Sequence, residues 1–166
     1  MKINTRDRKI KLCNNIILIM EKYIQNKRNL CEAGGIIIGR ENLNNDNLII
    51  EYITEPMPKD KRTRYGYIRK DSGHVDYYNR LYNEHKKIYK YVGEWHTHPE
   101  DYPNYSLKDK KNWERIGKQI PNQSQYHIIV GIKSIAIWEY EFQLNTISKI
   151  CNIEWEELNE QNKKNY

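Results

Sequence analysis

Apolar and polar positions switch between two periods along the chain, and the switches mark its elements. Lys9–Leu12 alternates with a period of two and predicts a short strand. Ile16, Ile17, Met20, Tyr23 and Ile24 recur at helical spacing, so a helix is predicted from Asn14 or Asn15 to about Asn26. Residues 34–39 form a β-branched run between glycines, the signature of a central strand. The turn residues Asn44, Asn45, Asp46 and Asn47 lead into residues 48–54, which return as the second arm of a hairpin. Residues 56–62 read as a loop and 65–69 as another strand. Tyr78, Leu81, Tyr82, His85 and Tyr89 share one face of a helix predicted over 72–89. A strand over 91–98 stops at Pro99, and Pro103 marks the loop that follows. A helix is predicted from Ser106 to about Ile120 with Trp113 and Ile116 inward, then strands over 126–132, 134–140 and 144–150. From Glu156 the chain is polar and reads as a helix end or frayed tail.

Strands and helices thus alternate, and the fold class is mixed α/β: one domain over residues 1–155 and a polar tail over 156–166. The length of 166 residues suits a single core. Mean hydropathy is −0.97, and no apolar run approaches the roughly 20 residues that cross a bilayer. No signal-peptide pattern is present, so a soluble cytoplasmic protein is expected. Cys13, Cys31 and Cys151 are odd in number, widely spaced and without a CxxC pair, which fits a reducing compartment. The formal charge of +6 invites a nucleic-acid reading, yet no helix-turn-helix, RNA-recognition or zinc-finger pattern accompanies it. A chain this rich in Lys, Asn, Ile and Tyr can owe its lysines to an AT-rich genome.

The chemistry concentrates in Gly93-Glu94-Trp95-His96-Thr97-His98-Pro99, followed by Ser106 and Asp109. On a strand, side chains two residues apart share a face about 6–7 Å from each other, so His96 and His98 can converge on one ion. Asp109 lies in the first turn of the next helix, where it can add an oxygen ligand. His, His and Asp with water in the fourth position make an open, catalytic type of zinc site. Taken alone, each His also reads as a polar strand residue, and Ser106 with Asp109 reads as a helix cap.

His96-x-His98-Pro99-x6-Ser106-x2-Asp109 resembles the signature of the JAMM (MPN-plus) zinc metallopeptidases. Residues 31–39, Cys-Glu-Ala-Gly-Gly-Ile-Ile-Ile-Gly, resemble the segment that carries the family's glutamate, and here that residue is Glu32, 64 positions before His96. The resemblance covers roughly residues 5–150, with Thr63, Arg64, Arg69, His74 and Trp113 in the extended pattern. It is greatest to the bacterial JAB deconjugases of CBASS antiphage operons, with Bil-type ubiquitination operons as the near alternative. Ala33 stands where the family usually has Thr, and Tyr105 where bacterial relatives often have Pro. The connection after the Asp109 helix is short and lacks the second insertion of eukaryotic ubiquitin-chain enzymes.

The resemblance implies a single cytidine-deaminase-like MPN domain, a mixed sheet flanked by helices. It implies one zinc ion per chain on His96, His98 and Asp109, with Glu32 as the general base and Ser106 as the oxyanion donor. It implies hydrolysis of the isopeptide bond between a modifier protein's C-terminus and a lysine, the modifier being a nucleotidyltransferase or a ubiquitin-like protein, and association with E1-like and E2-like proteins. Processing of a modifier precursor would use the same centre. A catalytically silent MPN scaffold and a basic nucleic-acid-binding domain are the readings from other classes. Within the basic segment 59–64, Lys61, Arg62 and Arg64 are the candidates for substrate contact, with Lys108, Lys110 and Lys111 adding to the field. Glu94 and Trp95 are assigned to the face opposite His96 as structural residues. His74 and His85 are read as a polar helix flank, and His127 as a hydrogen-bonded core histidine.

Overall fold

The structure is a computed structural model, and it describes residues 1–45, 47–120 and 122–163. The elements in chain order are β1 (Lys2–Asn4), β2 (Lys9–Leu12), α1 (Asn14–Glu21), β3 (Gly34–Glu41), β4 (Leu48–Ile53), β5 (Lys61–Thr63), β6 (Gly66–Ile68) and α2 (Gly73–Glu84). They continue with β7 (Lys90–Thr97), α3 (Leu107–Gln119), β8 (Gln125–Val130), β9 (Ser134–Glu141), β10 (Thr146–Glu154) and α4 (Trp155–Lys163). Eight strands form one mixed sheet in the order β1-β2-β4-β3-β7-β8-β9-β10, while β5 and β6 pair only with each other. The β3–β4 hairpin forms as the sequence predicts, although Asp46 of its turn lies outside the described residues.

Side-chain alternation along the strands divides the core between the two faces of the sheet. Ile37, Trp95, Ile128, Val130, Ile135 and Ile137 pack with Ile16, Ile17 and Met20 of α1 and with Trp155 and Leu158 of α4. On the other face, Ile36 and Ile38 pack with Leu81 of α2 and Tyr89. Beside them, Ile129, Ala136 and Trp138 pack with Trp113 of α3. Helices therefore cover both faces, which is why strands 3, 7, 8 and 9 are mostly buried along their length. No helix among the described residues is long and apolar enough to cross a membrane.

Strands β1 and β5 have no counterpart in the sequence reading, β10 runs four residues past its predicted end, and three helices differ from it. Helix α1 ends at Glu21 rather than near Asn26, because the chain turns there and carries the Gln25 side chain inward to Leu30, Arg64 and Thr97. Helix α2 ends at Glu84, where Lys86 and Lys87 take positive φ angles of 53° and 64° and bring Tyr89 back onto the core. The segment after Glu154 forms α4 and buries Trp155 and Leu158; residues 164–166 of the expected tail lie outside the described residues.

Strands β7 and β8 are parallel and adjacent, joined across the sheet by α3. Their backbones meet at Gly93, where a Cβ would lie 1.9 Å from the Tyr126 carbonyl oxygen. The close approach fixes the register that sets His96 beside Ile129. A parallel pair with its crossover helix leaves a crevice beyond the carboxyl ends of the strands. The end of β7 is where the sequence places its histidines.

Candidate active site

The site is assembled by a clasp between two backbone segments. Thr97 points to the face opposite His96, where its hydroxyl accepts the Ala33 N–H at 3.0 Å and donates to Gln25 at 2.8 Å. The Thr97 N–H donates in turn to the Ala33 carbonyl at 2.8 Å. Glu32, one residue before Ala33, is thereby held beside the two histidines. Its own backbone is fixed on the other side, its N–H donating to the Thr63 carbonyl at 2.8 Å and its carbonyl accepting from Arg62 Nε at 2.6 Å. Gly34 lies opposite His96 in the β3–β7 register, and the space a Cβ would need is filled by the Trp95 carbonyl and the Tyr67 ring.

Helix α3 completes the set from across the crevice. Ser106 is its N-cap in a full capping box: the hydroxyl accepts the Asp109 N–H at 3.2 Å, and the Ser106 N–H donates to Asp109 Oδ2 at 2.7 Å. The Ser106 hydroxyl also donates to Asp109 Oδ2 at 2.6 Å. The cap seen in the sequence and the candidate ligand are thus one device, since the capping bonds aim the carboxylate at the histidines. The two Nε2 atoms are 3.0 Å apart, Asp109 Oδ1 is 3.3 Å from His96, and Asp109 Oδ2 is 3.5 Å from His98. A tetrahedral zinc ion with bonds of roughly 2.0–2.1 Å has ligand atoms separated by about 3.3 Å. The three side chains therefore fit the ion in donor chemistry, and one ligand atom from each lies within 4.8 Å of the others, close enough to share an ion after small side-chain adjustments.

His96 and His98 are buried, and so is Glu32 at 5% exposure. Burial pushes the Glu32 carboxyl above its ordinary value and Asp109 adds to the rise, against the lowering influence of His96, His98 and Lys108. Burial acts in the same direction on Asp109, yet the hydrogen bonds from His96 and His98 hold it well below the usual carboxylate range. The same cleft thus shifts its two carboxyls in opposite directions, Glu32 up and Asp109 down.

Behind the ligands, His127 stacks on Trp113 with ring centroids 4.5 Å apart, and its Nδ1 accepts the Glu94 N–H at 3.3 Å. Burial pushes its pKa down to about 3, so the ring is neutral at physiological pH. Tyr105 closes the same layer, its ring 5.7 Å from Trp113. Ala33 is fully buried where a threonine is usual, and Trp95 packs in the core with its indole donating to the Thr54 carbonyl.

Two sequence readings are corrected. Glu94 shares the face of His96, as a two-residue offset requires, and its carboxylate binds Arg69 at 3.0 Å and Asn112 of α3 at 3.1 Å. His74 is fully buried rather than a polar flank: Nε2 donates to Asp60 Oδ2 at 2.8 Å, and Nδ1 faces the Thr54 hydroxyl. His85 does lie exposed at the end of α2, edge-on to Tyr89.

Asp60 is the hub of that buried cluster, and nothing in the sequence pattern singled it out. Its carboxylate also accepts from Tyr67 and from the N–H groups of Met57, Lys70 and Asp71, so it ties the β5–β6 hairpin to α2. These bonds hold Asp60 well below its ordinary value despite burial. A carboxylate with a depressed folded-state pKa stabilises fully above its unfolded value of about 4, and the contribution fades as pH falls below that. Asp60→Asn is expected to cost about 3–5 kcal/mol at pH 7 and to flatten the acid limb of unfolding below about pH 4, read by denaturant titration across pH.

Glu32, His96, His98, Ser106 and Asp109 line one cleft of about 590 Å³ between α3 and the β5–β6 hairpin. Lys61, Arg62 and Arg64 are not among its lining residues. Arg62 spends its guanidinium on the carbonyls of Glu32 and Cys31, Arg64 binds the Lys27 carbonyl, and Lys61 is exposed on the outer strand of the hairpin. All three cysteines are free, and the one nearest the site, Cys31, is exposed.

A family model described as prokaryotic homologs of the JAB domain matches residues 23–143, a stretch that contains every ligand and both sides of the cleft. The chain belongs to this JAB family. Among JAB relatives, a protein of Escherichia coli (strain TW11681) named CD-NTase/cGAS isopeptidase is 33% identical over 81% of this chain and 84% of its own length. A protein of the same name from Pseudomonas aeruginosa (strain BWHPSA011 / Pa011) is 33% identical over 70% of this chain and 73% of its own. The solution structure of a Desulfitobacterium hafniense protein superposes with a TM-score of 0.54 at 16% identity, covering 84% of this chain and 88% of that one, which shows a shared fold.

Proposed function

We propose that this JAB protein is a zinc-dependent isopeptidase that removes a conjugated modifier protein from lysine side chains. The observation that carries the reading is the meeting of His96, His98, Asp109 and Glu32 in one cleft, with one ligand atom from each of His96, His98 and Asp109 within 4.8 Å of the others. His96, His98 and Asp109 would hold a zinc ion, which when bound would supply a Lewis acid and lower the pKa of water toward about 7. Glu32 accepts the proton of the attacking water and returns it to the departing lysine amine as the C–N bond breaks. Burial, by raising the pKa of this carboxyl, favours the acceptance of that proton. Ser106 Oγ lines the cleft, and rotation of its hydroxyl from Asp109 would present a donor to the developing oxyanion.

The names of the relatives support a modifier of the CD-NTase type; the setting we propose for it is a cytoplasmic bacterial CBASS system with E1-like and E2-like partners. A ubiquitin-like modifier would use the same centre. The direct test is incubation with a CD-NTase conjugated to a lysine, and with a short peptide joined through its C-terminus to a lysine ε-amine. The expected products are a free C-terminal carboxylate and a free amine, with the reaction stopped by chelator and restored by zinc. A zinc-loaded protein that cleaves neither substrate would refute the reading.

A further inference from the structure

Charge in the cleft is distributed unevenly. Its two walls are the β5–β6 hairpin and the face of α3 that carries Lys108, Lys111 and Arg115. Those residues recur at three- and four-residue intervals, so they form a line along one side of the helix, about 10 Å from first to last. Lys108 and Lys111 make none of the ion pairs found among the described residues. Lys108 reaches over the cleft, its Nζ only 3.5 Å from where a Cβ on Gly66 would sit. Among the described residues, Arg115's hydrogen-bond partners are the neutral Gln119 and Asn112, at 3.1 and 2.8 Å. By contrast Arg69, at the floor, is neutralised by Glu94, and Lys110 on the outer side of α3 faces Glu114 at 3.8 Å. The opposite wall is apolar where it meets solvent: Tyr65 is 77% and Ile68 43% exposed.

We propose that the cleft recognises an extended, acidic C-terminal tail on the modifier, its acidic side chains on Lys108, Lys111 and Arg115 and its apolar ones on Tyr65 and Ile68. The proposal rests on the isopeptidase reading. Side chains of an extended chain alternate in direction, so a tail lying in the cleft shows every second residue to each wall. The cationic line spans about three residues at roughly 3.3 Å each. The acyl partner in an isopeptide is a chain terminus and can lie along such a cleft, whereas the target lysine enters as a single side chain. A continuous polyanion such as a nucleic acid fits less well, because the metal end of the cleft carries Glu32, Glu100 and Asp109.

The test is binding of zinc-loaded Glu32→Gln protein to short fluorescent peptides of alternating Glu and Leu, Gln and Leu, or Lys and Leu. The Glu/Leu peptide is expected to bind about tenfold more tightly than the Gln/Leu peptide at low salt, with the gap closing as salt rises. Lys111→Glu with Arg115→Glu should reverse the preference toward Lys/Leu. Lys110→Glu, a charge change on the outer side of the helix, should leave it intact. Equal binding of the three peptides, loss of the preference in Lys110→Glu, or tighter competition by a single-stranded oligonucleotide than by free Glu/Leu peptide would overturn the proposal. Wild-type protein is assayed in parallel on the same tails joined to a lysine ε-amine. Failure to cleave any of them defeats the isopeptidase reading, while the binding order still decides the proposal.

Discussion

Glu32→Gln is expected to keep one zinc per chain and to lose hydrolysis by about 10²–10⁴-fold, the usual contribution of a positioned general acid–base group. The substitution is nearly isosteric, and the bonds that fix residue 32 in place are backbone bonds: its N–H to Thr63 and its carbonyl from Arg62. Neither depends on the side-chain charge. The clasp between Ala33 and Thr97 is equally untouched. The variant should therefore fold and load metal as the parent does, and only proton transfer should fail. Metal content by elemental analysis beside a rate on an isopeptide substrate separates the two quantities. A wild-type rate would remove Glu32 from the chemistry.

Loss of any one of His96, His98 or Asp109 is expected to abolish both metal retention and activity. Removing a residue that merely supports a ligand weakens metal affinity by 10–100-fold, and deleting a ligand should cost more than about 100-fold. The three positions should nonetheless differ in the metal-free protein. His96→Ala and His98→Ala leave the start of α3 intact. Asp109→Ala also removes the carboxylate that accepts from the Ser106 N–H and hydroxyl. The helix then loses the N3 half of its capping box, at about 0.5–1.5 kcal/mol, the net worth of a hydrogen bond. Thermal melts in chelator should therefore place Asp109→Ala below His98→Ala. Equal melts would mean that the cap does not depend on Asp109, and zinc retained by any of the three would redefine the ligand set.

The difference between what was legible in the sequence and what was not follows from range. His96 and His98 were legible because a strand repeats every two residues and Pro99 stops it. Ser106 and Asp109 were legible because a capping box is local. Glu32 was not, on residue type alone: its role depends on Thr97, which meets Ala33 across 64 residues of sequence. Gln25 and Asp60 were missed for the same reason. Each is a polar residue in an irregular segment, and each acquires its role only when distant carbonyls, hydroxyls or N–H groups close around it. The basic run 59–64 attracted attention by density. The structure spends two of its guanidiniums on backbone carbonyls, while the cations that line the cleft are spread through α3, where a lysine on one side of the helix and a lysine on the other look alike in sequence.

Because β5 and β6 bond to each other and belong to a sheet of their own, their residues set no register in the eight-stranded sheet that carries His96. Mutations on the exposed side of this ribbon can therefore accumulate in a lineage without disturbing the ligand spacing. Substitutions at the exposed Tyr65 and Ile68 would then change the rim of the cleft while the positions of His96, His98 and Asp109 are kept.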